Sequence, residues 1–457
     1  MLNLLRLWSV PARPHRTSKK QEKVKHFFFT IYSKKQTSTF SCFLLAAFEA
    51  GGNRPQPQGL RASKSRKALI LGVKTGGVPL GFKRGKLFLL FSSKSTTNSN
   101  QQTNNIIVYK NLIMPNPKIA VVILNWNGKE MMRRFLPSVV NYSKDVAEVI
   151  VADNGSTDGS LEMLAAEFPT VRRMPLSKNY GFAQGYNEAL RGLEADYYLL
   201  LNSDVEVTPG WLLPLLDYME AHPETAACQP KLLCEGKRAE FEYAGACGGY
   251  IDRYGYPFCR GRVFGEVETD KGQYDSIAPI FWATGAALMI RRADWEAVGG
   301  LDGRFFAHME EIDLCWRLRT RGRGIVCVPQ STVYHVGGGT LAQHHPRKTF
   351  LNFRNNLLLL YKNLPKRELK RVMRVRSILD IVAACSFLIS PNGIANFKAV
   401  FQARREFRRM RPDFAANRRE NLQRTLLDPI PEQLPCSLLR LFHMKRLRTF
   451  ARIARYF

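Results

Sequence analysis

The stretch YYLLLNSDVEV, residues 197–207, changes from a continuous apolar run to polar residues at Asn202 and places two acids, Asp204 and Glu206, directly after that run. Asn, Ser and Asp commonly end strands, because their side chains hydrogen-bond loose backbone groups in turns. An ordinary turn therefore explains this stretch when it is taken alone. The sequence on either side of it decides between a turn and a ligand site.

Short apolar runs alternate with helical patterns around this stretch, giving three predicted strands and three predicted helices. The predicted strands are KIAVVIL (118–124), AEVIVA (147–152) and DYYLLL (196–201), and the predicted helices are 129–142, 158–167 and 181–194. Strands that alternate with helices at this spacing form right-handed crossovers onto a mostly parallel sheet with helices on both faces. We therefore expect an α/β fold with such a central sheet.

Small polar and acidic residues follow every predicted strand: NWNG (125–128), DNGSTDGS (153–160) and NSD (202–204). In open α/β sheets the ligand lies beyond the carboxyl ends of the strands, so these residues are expected to meet at one crevice. The segment KNYGFAQGYNEAL (178–190) adds two glycines at a helix start, where backbone can approach a ligand closely. It lacks the G-x-G-x-x-G spacing, which disfavours a dinucleotide site. A nucleoside diphosphate held with Mg²⁺ or Mn²⁺ fits better, with Asp204 supplying an oxygen ligand.

A second group of acids opens the predicted helix in HMEEIDLCWRLRTRG, residues 308–322. Glu310, Asp313 and Arg317 fall near one face of this helix, and Asp313 with Arg317 has the spacing of an i, i+4 ion pair. Each acid alone would be favourable at a helix N-terminus for electrostatic reasons. Three acids before an apolar helix also fit a catalytic carboxylate.

Taken together, these segments resemble the family 2 glycosyltransferases, which are inverting enzymes of the GT-A fold and include rhamnosyl- and galactofuranosyltransferase-like members. The resemblance spans about residues 118–365 and rests on six segments in the family's order. They are VVILNWNG, VIVADNGSTDGS, KNYGFAQGYNEAL, LLLNSDVEVTPGWL, FWATGAALMIRR and FFAHMEEIDLCWRLRTRG. It implies transfer of a sugar from a nucleoside-diphosphate sugar, with inversion, to a hydroxyl of a glycan or lipid-linked acceptor in cell-envelope polysaccharide synthesis.

The resemblance also implies roles for individual residues. Nucleotide binding falls to Asn125, Asn127, Asp153, Asn154, Ser156, Asn179, Gly181 and Asn202. A divalent cation, Mg²⁺ or Mn²⁺, falls to Asp204 and His335, although a lone His is as often a packed or surface residue. Asn202 stands where the family's metal motif usually has its first Asp, and an amide brings no charge to a cation.

Catalysis and acceptor binding follow from the same resemblance. The family's Glu-Asp pair is Glu310-Glu311 here, so Glu311 takes the position of the general base, with Glu310 second and Asp313 third in order of expectation. The acceptor pocket is expected at Trp282, Thr284 and Gly285. A core position for Trp282 is an equally good interpretation of the sequence.

The net charge of +30 suggests a nucleic-acid partner, but its distribution argues otherwise. Residues 1–113 hold 20 Lys and Arg and only two acids, Glu22 and Glu49, and thus carry more than half of the net charge. This basic segment lacks sustained periodicity, and we interpret it as a disordered or non-native leader before a natural start at Met114. No specific nucleic-acid partner is expected; a non-catalytic nucleic-acid-binding protein and a nucleotidyltransferase that makes activated sugars are the alternatives.

The region from 366 to 457 is predicted to be helical and basic, after a catalytic domain over 114–365. Basic stretches at 366–376 and 398–411 flank the apolar run ILDIVAACSFLI (378–389), which is too short to cross a bilayer. An interfacial segment on an anionic membrane and an ordinary packed helical appendage fit this pattern equally well. Nine scattered cysteines without a C-x-x-C pair favour reduced thiols, so we expect a cytoplasmic protein, peripheral to the inner face of the plasma membrane if the interfacial interpretation holds.

Overall fold

The computed structural model describes residues 118–337, 345–389 and 392–457, together with short strands in the preceding part of the chain. The chain divides into two compact units, residues 1–113 and 114–457. The strands described in the first unit are Phe27–Phe29, Cys42–Leu44, Leu80–Lys83, Lys86–Ser92 and Ile106–Val108. The interpretation of this unit as a leader stays a prediction.

The second unit begins with alternating strands and helices. They are β1 (Ile119–Asn125), α1 (Lys129–Ser143), β2 (Ala147–Asp153), α2 (Ser160–Glu167), β3 (Arg172–Pro175), α3 (Gly181–Leu190), β4 (Tyr197–Leu201), β5 (Val205–Val207) and α4 (Leu212–Ala221). All three predicted strands and all three predicted helices are present, although α3 ends earlier than expected.

Strands dominate the next part of the chain, and helices dominate the last part. The strands are β6 (Thr225–Cys234), β7 (Lys237–Phe241), β8 (Gly249–Asp252), β9 (Pro257–Cys259), β10 (Arg262–Val263), β11 (Glu266–Val267), β12 (Ala278–Pro279), β13 (Ala287–Arg291), β14 (Gly324–His335) and β15 (Gln433–Leu434). The helices are α5 (Arg292–Val298), α6 (Glu310–Thr320), α7 (Pro346–Asn363), α8 (Lys366–Phe387), α9 (Gly393–Met410), α10 (Ala415–Gln423) and α11 (Phe450–Ile453). Short 3₁₀ turns lie at Gly303–Phe305, Arg411–Phe414 and Ala454–Tyr456, and a π turn lies at Arg440–Met444.

The main sheet has the strand order β5-β14-β6-β13-β4-β1-β2-β3, with β7 added to β6 and β12 to β14. Strand β1 lies parallel to both β2 and β4, and β2 lies parallel to β3. The α/β fold is therefore confirmed. Its sheet is mixed, because β13 runs antiparallel between β4 and β6 after a long excursion with no crossover helix. Only the first half, built from strand–helix crossovers, is continuously parallel.

Both faces of this sheet are buried, which explains the unbroken apolar strands. Ile119, Val121 and Ile123 belong to a core on one face that also contains Met132 and Leu136 of α1. Ala120 and Val122 belong to a core on the other face that also contains Ala183 and Tyr186 of α3. The helices thus fix the position of the strand ends where the polar residues lie.

The C-terminal helical region predicted at 366–457 belongs to the same compact unit as the catalytic domain. Strand β15 pairs in parallel with β8 and extends a second, five-stranded sheet. The buried carboxylate of Asp252 accepts the backbone N–H of Leu438 at 2.9 Å, which ties the two together again. Among the helices in the described part of the chain, none combines the length and apolar character needed to cross a bilayer.

Candidate active site

The ends of β1 and β2 are joined by a buried polar network. Asn125 Nδ2 donates to Asp153 Oδ1 at 3.0 Å and lies 3.2 Å from Ser156 Oγ. Ser156 in turn donates its backbone N–H to Asp153 Oδ2 and accepts the backbone N–H of Asn127 at 2.9 Å each. Four of the five predicted nucleotide-binding residues in these two turns therefore belong to one hydrogen-bonded network, which fixes the Asp153 carboxylate.

The start of α3 is attached to the same strand end. Asn154 Oδ1 accepts the backbone N–H of Tyr180 at 3.0 Å, and Asn154 Nδ2 donates to Asn179 Oδ1 at 3.2 Å. Gly181 has a φ of +78°, and a Cβ there would lie 2.5 Å from the ring of Phe306. Glycine is required at this position both by the backbone conformation and by the close approach of the ring.

Beyond β4, Asp204 contacts His335 at the end of β14, with Asp204 Oδ1 3.1 Å from His335 Nε2. On the other side of the imidazole, Nδ1 lies 3.4 Å from Oε1 of the buried Glu242. Asn202 Nδ2 lies 3.4 Å from the same Nε2 atom. Burial lowers the pKa of His335, but Asp204 and Glu242 outweigh it and raise that pKa to about 10.

These residues fit a divalent cation. Two ligand atoms that bind one ion at ~2.1 Å and at right angles lie about 3 Å apart, close to the separation of Asp204 Oδ1 and His335 Nε2. Glu242 behind the imidazole corresponds to the carboxylate that commonly orients a ligating His. Within the described residues no three His, Cys, Asp or Glu side chains have metal-holding geometry. Magnesium sites in proteins commonly use one or two carboxylates together with substrate phosphates, and Asp204 would be such a carboxylate.

A short segment before β13 connects this acidic corner to α6. The carbonyl of Ala286 accepts the backbone N–H of Asn202 at 3.0 Å. A Cβ on the neighbouring Gly285 would lie 3.0 Å from the ring of Phe182 and 3.9 Å from Cβ of Glu311. The structure therefore brings Asn202, Gly285 and Glu311 together, although they lie far apart in the sequence.

The turn after β1 approaches the turn after β4 at Ser203. A Cβ on Gly128 would lie 2.5 Å from Asn125 Oδ1 and 3.5 Å from Ser203 Oγ. The turns after β1 and β4 are thus in contact. This contact links the Asn125–Asp153 network to the Asp204 corner.

Trp282 and Thr284 are positioned differently from what the sequence analysis expected of acceptor-binding residues. The Trp282 ring is buried, donates Nε1–H to the carbonyl of Tyr250 at 2.9 Å and packs against Gly249. Stacking on a sugar requires an exposed ring face, so the core alternative for Trp282 is the one that the structure favours. Thr284 is also buried, and its backbone N–H donates to Gln229 Oε1.

The two glutamates that open α6 differ from ordinary surface carboxylates. Glu310 is buried, and burial together with the neighbouring Glu311 charge raises its pKa well above the usual range. Burial raises the pKa of the half-buried Glu311 to about 7. In the described structure, Oε2 of each lacks a hydrogen-bond partner. The pKa of Glu311 thus lies close to neutral pH, and burial makes Glu310 hold its proton more tightly than an ordinary glutamate does.

Asp313, the third candidate base, is held in a buried network of hydrogen bonds and ion pairs. It is fully buried and accepts from Lys362 Nζ at 2.8 Å, Arg317 Nε at 2.9 Å and Asn363 Nδ2 at 2.8 Å. Burial alone would raise its pKa, but Lys362 and Arg317 hold that pKa below the usual value. A carboxylate enclosed by two cations and an amide is a poor proton acceptor, so Asp313 is removed from the candidates. The predicted i, i+4 pair with Arg317 is confirmed.

The loop before α6 is held in an unusual backbone conformation. Phe306, His308 and Met309 have φ values of +69°, +70° and +73°, which are rare for residues with side chains. Such conformations cluster at functional sites and need support from their surroundings. Asn355 of α7 supplies that support, since its Nδ2 lies 2.8–2.9 Å from the carbonyl oxygens of Phe305, Ala307 and His308.

Sequence reasoning missed Glu242 and Asn355. Glu242 has the appearance of a surface acid in AEFEYAG, and no pattern there distinguishes it. Asn355 offered a signal, because FRNNLLLLY places two asparagines inside an otherwise apolar helix. Buried amides in such a position are expected to satisfy backbone groups of a neighbouring segment.

Amides, carboxylates and one imidazole gather at the strand ends of this α/β sheet. Next to them lies Glu311, a carboxylate whose pKa is near neutral pH. This combination is typical of enzymes of the nucleotide-binding α/β class. Residues 120–272 match the model of glycosyl transferase family 2. The chain therefore contains a glycosyltransferase domain of family 2.

Curated relatives extend the similarity beyond the family model. The chain is 29% identical over 233 residues to the N-acetylglucosaminyl-diphospho-decaprenol L-rhamnosyltransferase of Mycobacterium tuberculosis, which covers 48% of this chain and 75% of that protein. It is 24% identical over 262 residues to the rhamnosyltransferase WbbL of Escherichia coli, which covers 55% and 94% respectively. A solved structure of GalNAc-T7 with UDP, GalNAc and Mn²⁺ resembles it more distantly, with 15% identity, a TM-score of 0.46 and coverage of 64% of this chain and 55% of that one.

Replacing Asn355 by Leu is expected to release the loop 305–309. Leaving buried carbonyls without their donor costs about 1–3 kcal/mol of unfolding free energy, and the strained loop should open locally. Hydrogen exchange of the amides at 305–309 should therefore accelerate. Asn421→Leu is the matched control, because Asn421 is a buried asparagine that donates to Asn363 instead. Equal exchange in both variants would contradict the role of Asn355.

Proposed function

We propose that this chain transfers a sugar from a nucleoside-diphosphate sugar to a hydroxyl of a lipid-linked or glycan acceptor, with inversion, in the synthesis of a cell-envelope polysaccharide. The observation that carries the proposal is a series of neighbouring groups at the strand ends. Asn125 binds Asp153, the turns after β1 and β4 approach each other at Gly128 and Ser203, and Gly285 lies beside Glu311. The family assignment favours this function over the nucleotidyltransferase and nucleic-acid-binding alternatives. The named acceptor of the mycobacterial relative, a diphospho-decaprenol carrier, supports a lipid-linked acceptor.

The donor nucleotide is proposed to bind at the ends of β1 and β2. Asp153 is fixed by Asn125 and Ser156, so its remaining lone pairs are preorganised as acceptors for a base N–H or a ribose hydroxyl. Ordering these groups before binding reduces the entropy that the nucleotide must overcome.

A divalent cation, Mg²⁺ or Mn²⁺, is proposed at Asp204 and His335, with Asn202 able to turn its amide oxygen toward it. When bound, such an ion neutralises negative charge on the departing diphosphate. Glu242 lies behind the imidazole, with its Oε1 3.4 Å from Nδ1, and its negative charge favours a proton on that nitrogen. Asp204 supplies the carboxylate of this proposed ligand set, because Asn202 carries an uncharged amide.

Glu311 is proposed to act as the general base. Its carboxylate takes the proton of the acceptor hydroxyl as that oxygen bonds to the anomeric carbon, while the bond from this carbon to the diphosphate breaks and its electron pair leaves with the nucleotide. Attack from the side opposite the leaving group inverts the configuration. Gly285 lies beside Glu311, and a Cβ at this position would crowd the ring of Phe182.

We further propose that the outward face of α8 and α9 lies on an anionic membrane. Ile378, Val382, Ile389 and Ile394 are 65%, 61%, 94% and 67% exposed. Residues 366–411 contain twelve Lys and Arg and three acids. Each basic residue near an anionic membrane surface contributes about 1 kcal/mol to the free energy of binding. The acid on α8 within the apolar run, Asp380, is buried against Arg376 and Arg404 and does not oppose insertion. A protein of this kind would be cytoplasmic and peripheral.

A panel of nucleotide sugars incubated with the full chain and Mn²⁺ tests the main proposal. Release of one nucleoside diphosphate that depends on an added lipid-linked or glycan acceptor is the expected result. Absence of release with every donor in the panel, in the presence of membrane extracts as the source of acceptor, would argue against it.

Asp204→Asn should reduce metal-dependent transfer by about 100-fold or more, because the site loses its only carboxylate ligand. Glu206→Gln is the matched control, since Glu206 lies two residues away and pairs with Arg238 at 2.6 Å. The measurement is the initial rate as a function of Mn²⁺ concentration. Similar rates for both variants would exclude Asp204 as a ligand.

The transfer rate should rise with pH around a midpoint of about 7, because the base must be ionised and the pKa of Glu311 is raised to about 7. Glu311→Gln should lower the rate by about 10²–10⁴-fold and remove this rise. A raised carboxyl pKa means that the folded state binds the proton more tightly than the unfolded state, so stability falls as pH increases from about 4.5 to 7. Glu311→Gln should therefore unfold at a higher temperature than wild type at pH 8. Wild-type transfer rates in Glu311→Gln would contradict the assignment of Glu311 as the general base.

Flotation with vesicles tests the membrane proposal. The full chain should float with vesicles that contain phosphatidylglycerol and remain behind with neutral vesicles. Replacing Ile378, Val382 and Ile389 by Gln should reduce flotation, because each removes apolar area from the contact. Leu426→Gln is the control, as Leu426 is 82% exposed and lies outside these helices. Flotation that is unaffected by the triple change points to another attachment.

A further inference from the structure

A pocket of about 490 Å³ lies between α7, α8, α9 and α10. Its volume falls within the ~300–1,000 Å³ that is usual for small-molecule sites. Five basic side chains line it: Lys366, Lys370, Arg374, Arg411 and Arg418. Among the described residues, no acidic side chain lines it, so the charges at the pocket are all positive.

Some basic neighbours of these five residues are paired with carboxylates in the described structure, whereas the five are not. Arg367 pairs with Asp428 at 2.8 Å, and Arg404 pairs with Asp380. No ion pair with a carboxylate is found in the described residues for any of the five that line the pocket. Like charges brought together without a counter-charge repel one another, and binding of an anion removes that repulsion.

Arg418 provides a second, independent indication of a ligand. It is 8% exposed, and its Nη1 donates to the backbone carbonyl of Tyr361. Its Nη2 is buried and has no hydrogen-bond partner in the described structure. The guanidinium groups of Arg411 and Arg418 also lie 5.6 and 5.3 Å from the centre of the Tyr361 ring. A buried donor without a partner costs free energy unless a ligand satisfies it.

We propose that this pocket binds the phosphate group of a molecule that also carries an apolar chain. Arg and Lys together suit a phosphate, because the guanidinium fork donates two parallel hydrogen bonds and the ammonium adds charge. The walls between the cations are formed by Leu369, Met373 and Phe407, which suit an apolar chain next to the charged group. The site goes beyond the proposed sugar transfer and uses none of its residues.

The placement of the pocket along α8 favours an acyl-bearing phosphate ester as the source of this chemistry. Lys370 and Arg374 line the pocket, and Ile378 follows them at the i+4 spacing that places residues along one side of a helix. Ile378 is exposed and begins the apolar face that includes Ile381 and Val382. A chain attached to a phosphate in the pocket can therefore continue along exposed apolar surface.

Calorimetric titration of the full chain with dihexanoyl phosphatidic acid, inorganic phosphate and dihexanoylglycerol tests the proposal. The first probe should bind saturably, and dihexanoylglycerol, which lacks the phosphate, should bind at least tenfold more weakly. Lys370→Gln with Arg374→Gln should weaken binding of the phosphatidic acid about tenfold or more, because two charged donors are lost. Both side chains are at the surface, so the fold should persist.

Arg371→Gln with Arg405→Gln is the matched control, since it removes the same charge from exposed positions on α8 and α9 that do not line the pocket. This pair should keep its affinity within about twofold of wild type. Equal affinity for inorganic phosphate, weakened by the pocket pair alone, supports the site with free phosphate as its ligand. Equal weakening by both pairs, equal binding of dihexanoylglycerol, or no saturable binding of either phosphate probe overturns the proposal.

Discussion

The buried carboxylate of Asp313 joins the helix that carries Glu311 to the long helix behind it. It accepts hydrogen bonds from Lys362 and Asn363 of α7 and from Arg317 of its own helix. Removing one partner from such a group would leave an uncompensated buried charge, at a cost of about 3–5 kcal/mol. The two helices are therefore held as one body. Asn355 lies on the same helix α7 and holds the loop before α6 through its hydrogen bonds to the carbonyl oxygens of that loop.

Three acids on the first turns of α6 illustrate how surroundings decide the chemistry of a side chain. Asp313 lies among cations and keeps its charge, whereas burial raises the pKa of Glu310 and of Glu311, so that both hold their protons more tightly. Neighbouring carboxyl groups whose environments push their pKa values apart are typical of acid–base sites. The sequence places the acids together but does not reveal this difference, because it depends on residues from α7.

The first half of the fold and the polar strand ends could be predicted from sequence, since local periodicity and short crossovers determine them. The neighbours of His335 and the antiparallel entry of β13 could not, because these contacts join segments far apart in the chain. Trp282 shows the same limit: a tryptophan before a catalytic helix suits both a sugar platform and a core, and only the contact with Gly249 decides between them. The sequence leaves Asp313 among the candidate bases, and it does not reveal the cationic partner Lys362, which lies 49 residues away.

The pairing of β15 with β8 has a practical consequence for anyone who trims this chain. Ending it after α7, where the family resemblance stops, would leave β8 as a bare sheet edge and strip Asp252 of its partner at Leu438. Open edges recruit other strands, and a minimal catalytic fragment would then tend to self-associate. The region 366–457 completes the second sheet through β15, so a soluble catalytic fragment has to include it.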